Sequence, residues 1–522
     1  MKLNYEVYKD KVRACWIGKN IGGTLGGPFE GVRKKLDITG FVTPKGEPLP
    51  NDDLDLQLVW LHAMEMEGPK HLTADVLGDY WLSYITMYAG EYSIARRNME
   101  MGIMPPISGE TSNNNTLKHS NGAWIRTEVW ATLFPAQPDM AVRYAIEDAK
   151  VDHGNGEGTY AAMFVAAMES AAFAVSDLRK LIEIGLAKIP YDCRMARTVR
   201  LILDCYEKGV PAMDARDAIL KENSDIGDGW FSAPSNVGYA TLGLLYGEGD
   251  FKKSMLLAVN CGDDTDCTAG TVGSVLGIMY GTAGIPKDWE EYIGDKIVTC
   301  SINQGTAFPF VGSCTNLTEK VTKLAPMVTY QMKGHFAKVP EFVCGEDSEF
   351  SDSDIEYFAL PYGQSEESEE MAVSVLTLKN PNTIVKTCGA TYALVTVHDG
   401  PYAAAGAEKR ITIMFQNRLK AFGQQPHNMK VSLLLPEGWT ASAEEFDMFV
   451  AQWWRVSENT YNTQPVDIVL TAPEKIKAHN RILIMVEEYG RHHVEVIPVM
   501  LVNRLAETPY IYEERFCDYE RK

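Results

Sequence analysis

Two short stretches of the chain crowd carboxylates where a single one would suffice. Residues 261–281 read CGDDTDCTAGTVGSVLGIMYG, with Asp263, Asp264 and Asp266 directly before a long, small-residue, apolar segment. Far upstream, residues 50–68 read PNDDLDLQLVWLHAMEMEG, with Asn51, Asp52, Asp53 and Asp55 opening another apolar-periodic segment. One aspartate at a helix N-terminus is an ordinary cap, favoured by the helix dipole. Several together repel one another, and a cap needs only one. The density therefore points to a bound hard cation, which takes oxygen ligands, about six around magnesium. If the two stretches converge in a helical domain, they make a centre for one or two such ions.

The elements that must position these residues are helices. From Thr268 onward the pattern reads as a helix, with Gly270, Gly273, Gly277 and Gly281 near helical spacing. A glycine face lets another backbone approach closely, although each Gly costs roughly 1 kcal/mol against Ala. The apolar run is too short to span a bilayer, so an internal, tightly packed helix is expected. Apolar residues at three- and four-residue intervals continue through LQLVWLHAMEMEG, YAAMFVAAMESAAFAV and MARTVRLILDCYEKG, and residues 1–335 are expected to form an all-α domain.

The texture changes after Lys333. CGEDSEFSDSDIEYF and YGQSEESEE are acidic and Ser-rich, and residues 336–370 are expected to be a solvated connector. Beyond them MAVSVLTLK, TYALVTVH, KRITIMF, MKVSLLL, PVDIVLTA, NRILIMVEE and HVEVIPVMLV alternate and are rich in Val, Ile and Thr. Seven such pieces predict an immunoglobulin-like antiparallel β-sandwich over residues 371–522.

The 522 residues carry 49 Lys and Arg against 70 Asp and Glu, a formal charge of −21. Such a surface argues against nucleic acid or anionic membrane as a partner. No charged-then-apolar leader opens the chain and no run is long enough to cross a bilayer, so a cytoplasmic location is expected. The ten cysteines form no CxxC pair, which makes buried, reduced thiols the expected state.

Four pieces in order, ACWIGKNIGGTLGGPFEG, NDDLDLQLVW, SNGAWIR with the following DHGNGEGTYAAMFVAA, and GDDTDCTAGTVGSVLG, resemble the ADP-ribosylglycohydrolases, the family typified by the dinitrogenase reductase-activating glycohydrolase. The resemblance covers most of residues 10–330. It implies an all-α fold with a magnesium or manganese centre of one or two ions, and hydrolysis at the anomeric carbon of a ribose. Asp52 and Asp53 match the first acidic pair of the family's metal site, and Asp264 and Asp266 the second. Glu30 matches the glutamate regarded as catalytic, with Asp53 beside it. Asn121 and Gly122 match a loop that approaches the substrate's phosphates, and His153 a histidine lining the site. The chain departs from the family at Gly23, where many members carry Asp, at Asn51 and at Cys267, both positions of a hydroxyl residue. An Asn carbonyl is a sound ligand for a hard metal and Asn51 is counted in the set; a thiol is not, and Cys267 is expected outside it.

Other residues admit plainer roles. Trp124 and Trp230 are expected to be core aromatics before they are stacking surfaces, and Arg126 pairs with either a phosphate or a carboxylate of this acidic chain. The expected function is a metal-dependent glycohydrolase acting on an ADP-ribosyl or related furanosyl bond, its partner a small-molecule or ADP-ribosylated substrate. The rivals are a glycosidase for nucleoside-like or carbohydrate substrates, and a non-catalytic homologue that binds metal and ligand.

Overall fold

A computed structural model describes residues 1–88, 90–110, 117–226, 229–303, 311–333, 338–364, 369–417, 426–450 and 464–503. The chain divides into two compact units: residues 1–97 with 108–379, and residues 98–107 with 380–522.

The first unit is helical, and its centre is a pair of helices that touch through glycine. Helix α1 (Tyr5–Gly26) starts at Asn4, whose side chain accepts from the Glu6 and Val7 N–H groups. It runs antiparallel to the helix Thr265–Tyr280. A Cβ added at Gly18 would lie 2.2 Å from Gly273 O, one at Gly22 2.3 Å from Gly270 N, and one at Gly26 2.2 Å from Thr265 O. Gly277 meets Ala14 O in the same way, at 2.4 Å. The glycine face read in the sequence is thus one half of a backbone-to-backbone seam, and GGTLGG (residues 22–27) supplies part of the other. The seam fixes the site because it brings the C-terminal end of α1, just before Glu30, onto the N-terminal start of the helix that carries Asp266. Thr265 Oγ1 closes the junction by donating to Gly26 O at 2.8 Å.

Since the obstacle at each glycine is backbone, nothing can rotate away from an added methyl. Gly22→Ala is expected to cost about 1–3 kcal/mol or more, which lowers the melting temperature by several degrees. It should weaken divalent-metal binding in parallel, because the seam sets α1, to which the segment before Asp52 is tied, against the helix that carries Asp266. Thermal denaturation and a manganese titration check this; unchanged values in both would mean that the seam tolerates a wider separation.

Helix α2 (Asp52–Glu67) begins at Asn51, whose side chain accepts from the Asp53 N–H, and ends at Gly68 with φ 71°. The segment before it is tied to α1 by Leu49 N–H donating to Thr24 Oγ1 at 3.1 Å. Among the described residues no helix is long and apolar enough to cross a membrane. The described cysteines are free thiols, buried except for Cys300 and Cys344.

Described parts of the stretch expected as an acidic connector form a strand and a helix. Residues Glu341–Val343 pair in parallel with Lys2–Asn4 at the opposite end of the unit's sequence. Asp352 and Asp354 lie in the first turn of the helix Asp352–Phe358, where the Asp354 carboxylate accepts from the Ser351 N–H at 2.9 Å. These carboxylates start a helix; they do not merely solvate a linker. The Ser–Glu run at 365–368 lies outside the described residues. MAVSVLTLK, expected as a strand, is helical within Glu369–Lys379. Its buried positions Val373, Ser374 and Thr377 recur at helical spacing, and Thr377 Oγ1 donates to Val373 O at 3.0 Å. The boundary between the units therefore falls at residue 379.

The second unit is a sandwich of two five-stranded sheets. One has the order Thr383–Cys388, Thr391–Val397, Glu408–Asn417, Val466–Thr471, Thr440–Ala441; the other Tyr402–Ala403, Val494–Asn503, His479–Glu488, His427–Leu434, Glu445–Val450. All pairs are antiparallel except Tyr402–Ala403 with Val494–Asn503. Six of the seven expected strands are present; Thr383–Cys388, Glu445–Val450 and the two-residue strands Tyr402–Ala403 and Thr440–Ala441 are added. The core joins inward residues of both sheets, among them Ile411, Ile413, Ile482, Ile484, Ile497 and Val499. It also takes in Ile103 and Ile107, some 300 residues earlier in the chain. Gly102, at φ 90°, belongs to the same contact, since a Cβ there would sit 2.7 Å from Met500 Cε.

Candidate metal centre

The two acidic stretches converge. Carboxylate oxygens of Glu30, Asp264 and Asp266 lie within 4.8 Å of one another, and so do ligand atoms of Asp53, Asp266 and Cys267. Asp264 stands at the helix start yet makes no side-chain cap. Its Oδ2 accepts from Asn121 Nδ2 at 2.5 Å, while Oδ1 finds no donor among the described residues. Asp266 Oδ1 is likewise without a partner. Both side chains are buried, at 2% and 6% exposure. A buried carboxylate oxygen with no donor is costly, and it fits a cation held by oxygen ligands.

The electrostatics agree. Burial, then the neighbouring carboxylates of Asp53 and Glu30, pushes the Asp266 carboxyl up to about 8. Asp264 is held well above the usual carboxylate range by burial and by Asp266. Asp52 is raised well above that range by burial, Asp53 and Asp266. Glu30 sits at the exposed rim, yet loss of hydration and the charges of Asp52 and Asp53 raise it to about 7. Its turn is fastened to the second acidic stretch by Gly31 N–H donating to Asp263 O at 2.8 Å and Asp263 N–H donating to Val32 O at 2.9 Å.

Two other aspartates of the clusters have structural work. The Asp263 carboxylate accepts from Phe231 N–H at 2.7 Å and Asn236 Nδ2 at 2.8 Å. Asp55 accepts from Cys300 N–H and Ser301 N–H, both at 2.6 Å. Asn51, expected as a metal ligand, is the cap of α2: its Oδ1 accepts from Asp53 N–H at 2.8 Å, and its Nδ2 lies where a Cβ at Gly23 would be, 1.9 Å away. The amide thus fills the space left by the missing side chain at Gly23 and orients Asp53.

Asn121 reaches the centre and Gly122 does not. Asn121 links Asp264 to Trp124, whose Nε1 donates to Asn121 Oδ1 at 3.1 Å. Gly122 N–H is committed to Glu91 Oε1 at 3.0 Å, so it is not an open donor for a phosphate. His153 lines no open surface. It is fully buried, with Nδ1 2.8 Å from Asp152 Oδ1 and Nε2 3.2 Å from Ser120 Oγ. This hydroxyl–imidazole–carboxylate row has the outline of an activated nucleophile, but Ser120 Oγ donates to Leu117 O at 2.6 Å, so the row secures the loop. Arg126 answers its own alternative. It is fully buried and pairs with carboxylates, Nε to Asp148 Oδ1 at 2.9 Å and Nη2 to Asp152 Oδ1 at 2.8 Å, while Nη1 donates to Gly122 O at 2.5 Å. Trp124 is core, as expected.

The sequence reading missed the residue that anchors Asp53. Lys19 is completely buried, and its Nζ lies 2.7 Å from Ile125 O, 2.9 Å from Glu128 Oε1 and 3.1 Å from Asp53 Oδ2. Burial works against its charge, but Asp53 and Glu128 outweigh that and hold its pKa above the usual lysine value. Gln57 braces the group, donating to Glu128 Oε2 at 2.8 Å. A lone charge inside the glycine-rich CWIGKNIGG was the signal available.

A family model described as ADP-ribosylglycohydrolase matches residues 4–316. The chain belongs to the ADP-ribosylglycohydrolase family. Its relatives include an uncharacterized protein of Archaeoglobus fulgidus, 27% identical over 307 residues, a match covering 55% of this chain and 93% of that one. Two proteins called ADP-ribosylarginine hydrolase Tri1 match over short stretches: that of Pseudomonas putida is 37% identical over 54 residues, and that of Serratia proteamaculans 40% over 50. Each match spans 10% of this chain, and 15% and 14% of those proteins' lengths. A solved structure titled ADP-ribosylglycohydrolase-related protein complex aligns with a TM-score of 0.42 and 21% identity, over 63% of this chain and 99% of that one. Within the ADP-ribosylglycohydrolase match fall Glu30, Asp52, Asp53, Asp264, Asp266 and Lys19.

Proposed function

We propose that the protein is a metal-dependent glycohydrolase that cleaves the bond between the anomeric carbon of an ADP-ribosyl or related ribosyl group and its acceptor. The observation that carries this reading is the pair of buried, unpartnered Oδ1 atoms of Asp264 and Asp266 beside the exposed Glu30. Asp264 and Asp266, with Asp52 next to them, would hold magnesium or manganese, whose preference is for carboxylate and water oxygens. Such an ion supplies positive charge to fix a sugar's neighbouring hydroxyls and a water near the anomeric carbon.

The chain's own groups do the rest. Glu30, raised to about 7, is poised for proton transfer near neutral pH. It takes a proton from the attacking water as the oxygen bonds to the anomeric carbon; the departing group leaves with the electron pair of the broken glycosidic bond and takes a proton from solvent, to which Glu30 returns the one it received. Asp53, fixed by Lys19, keeps the negative field beside the carbon that becomes cationic in such transition states. Asn121 orients Asp264, and Arg126, Asp152, His153 and Glu91 hold the Asn121–Gly122 loop in place.

Arginine-linked ADP-ribose, named for the Tri1 relatives, is the first substrate to try, beside nucleosides and aryl furanosides, with and without magnesium or manganese. Glu30→Gln is expected to lower kcat on the order of 10²–10⁴-fold, the usual worth of a positioned acid or base. Manganese affinity should change by no more than a few-fold. Loss of the metal together with activity would make Glu30 a ligand instead of the proton-transfer group.

A further inference from the structure

Two groups of donor atoms share Asp266, and their chemistry differs. Glu30, Asp264 and Asp266 offer oxygen only; Asp53, Asp266 and Cys267 include a thiol. Asp264 Oδ1 and Asp266 Oδ1 have neither a hydrogen-bond donor nor a cationic side chain against them among the described residues, whereas Asp53 Oδ2, which also makes no hydrogen bond, faces an ammonium. On the other side Asp53 has one oxygen in a hydrogen bond and the other in an ion pair. Oδ1 accepts from the Cys267 thiol at 3.4 Å, and Oδ2 lies 3.1 Å from Lys19 Nζ. Lys19 has no room to leave, being wholly buried and fixed at the same time to Ile125 O and Glu128.

We propose that the centre is asymmetric: one divalent cation binds on the Asp264–Asp266 side, and none binds between Asp53 and Cys267, where the Lys19 ammonium already supplies the positive charge. This rests on the metal-dependent reading above and sharpens it. A dication placed at Asp53 would stand beside a fixed ammonium in a medium that screens charge poorly. It would also have to break the thiol's bond to Asp53 and accept sulfur, a poor partner for magnesium or manganese. Lys19 thereby becomes a positioning residue that does the electrostatic work of a second ion, and the site takes one hard cation.

The test uses the full chain, stripped of metal and titrated with manganese alone, with bound ion counted and its spin-resonance spectrum recorded. One ion per chain with the hyperfine pattern of an isolated ion is the expected result. Two ions of similar affinity with an exchange-coupled spectrum would overturn the asymmetry and leave the metal-dependent reading standing; no bound ion would overturn both. Cobalt gives a second measurement. No thiolate-to-cobalt charge-transfer band is expected, and a band that vanishes in Cys267→Ser would put sulfur on the ion and overturn the proposal. Lys19→Gln, where its circular dichroism matches the parent, is expected to raise the manganese count from one to two. A count still at one in that folded variant would show that the ammonium is not what closes the second position.

Discussion

Asp266→Asn is expected to abolish metal binding and to lower hydrolysis on the order of 10³-fold or more, since it removes charge stabilisation of several kcal/mol, and yet to make the metal-free protein more stable at pH 8. The sign follows from linkage. In the folded, metal-free chain the Asp266 carboxyl titrates near 8, raised by burial, Asp53 and Glu30, against about 3.9 when unfolded. The folded state therefore binds the proton more tightly, so stability from this group is greatest below the unfolded value and falls as pH rises from about 4 through 8. Glu30, near 7, and Asp52 and Asp264, also raised, act in the same direction. Asn cannot ionise and escapes the loss. In the unaltered protein metal reverses the trend, because it binds the ionised carboxylates: affinity should climb over the same pH range, and added metal should raise the melting temperature. Melting curves at pH 5 and pH 8, with chelator and with manganese, read all of this. A variant that melts lower than the parent in chelator at pH 8 would mean that Asp266 is a net stabilising partner within the fold, contrary to the centre described.

Lys19→Met carries the second large effect, with the opposite sign. It removes the ammonium from two carboxylates that stay buried, Asp53 and Glu128. Breaking a buried pair from one side costs roughly 3–5 kcal/mol, about 5 °C in a unit of this size. The double variant Lys19→Met with Glu128→Gln should recover a good part of that loss, because one of the two stranded charges goes with it. Equal melting temperatures for the single and double variants would show that Glu128 is already protonated in the folded chain, which its burial favours and Lys19 opposes.

The acidic helix starts were legible because capping explains one aspartate and not three; that mismatch needs no knowledge of the fold. The glycine periodicity likewise announced a close helix contact, though not its partner, since GGTLGG lacks the apolar spacing by which helices are usually recognised. Lys19 was illegible for a related reason: a single lysine reads as surface until the depth of its helix is known. MAVSVLTLK alternates like a strand, and only the buried face formed by Val373, Ser374 and Thr377 decides for helix. TIVKTC and EFDMFV bury too few positions to stand out as strands. His153 matched a motif, but its role depends on which side of the loop faces the centre, and that is a tertiary property.

The ten residues 98–107 give the molecule a clock. Ile103 and Ile107 complete a core whose other members lie between Cys388 and Val502. On a ribosome adding about 5–20 residues per second, those two side chains emerge roughly 20–80 s before the last strand that covers them. Over that interval two isoleucines wait without their partners, so the sandwich closes only after the strand Val494–Asn503 has emerged. A nascent chain stalled before the strand Val494–Asn503 is thus the species in which a chaperone has most to hold.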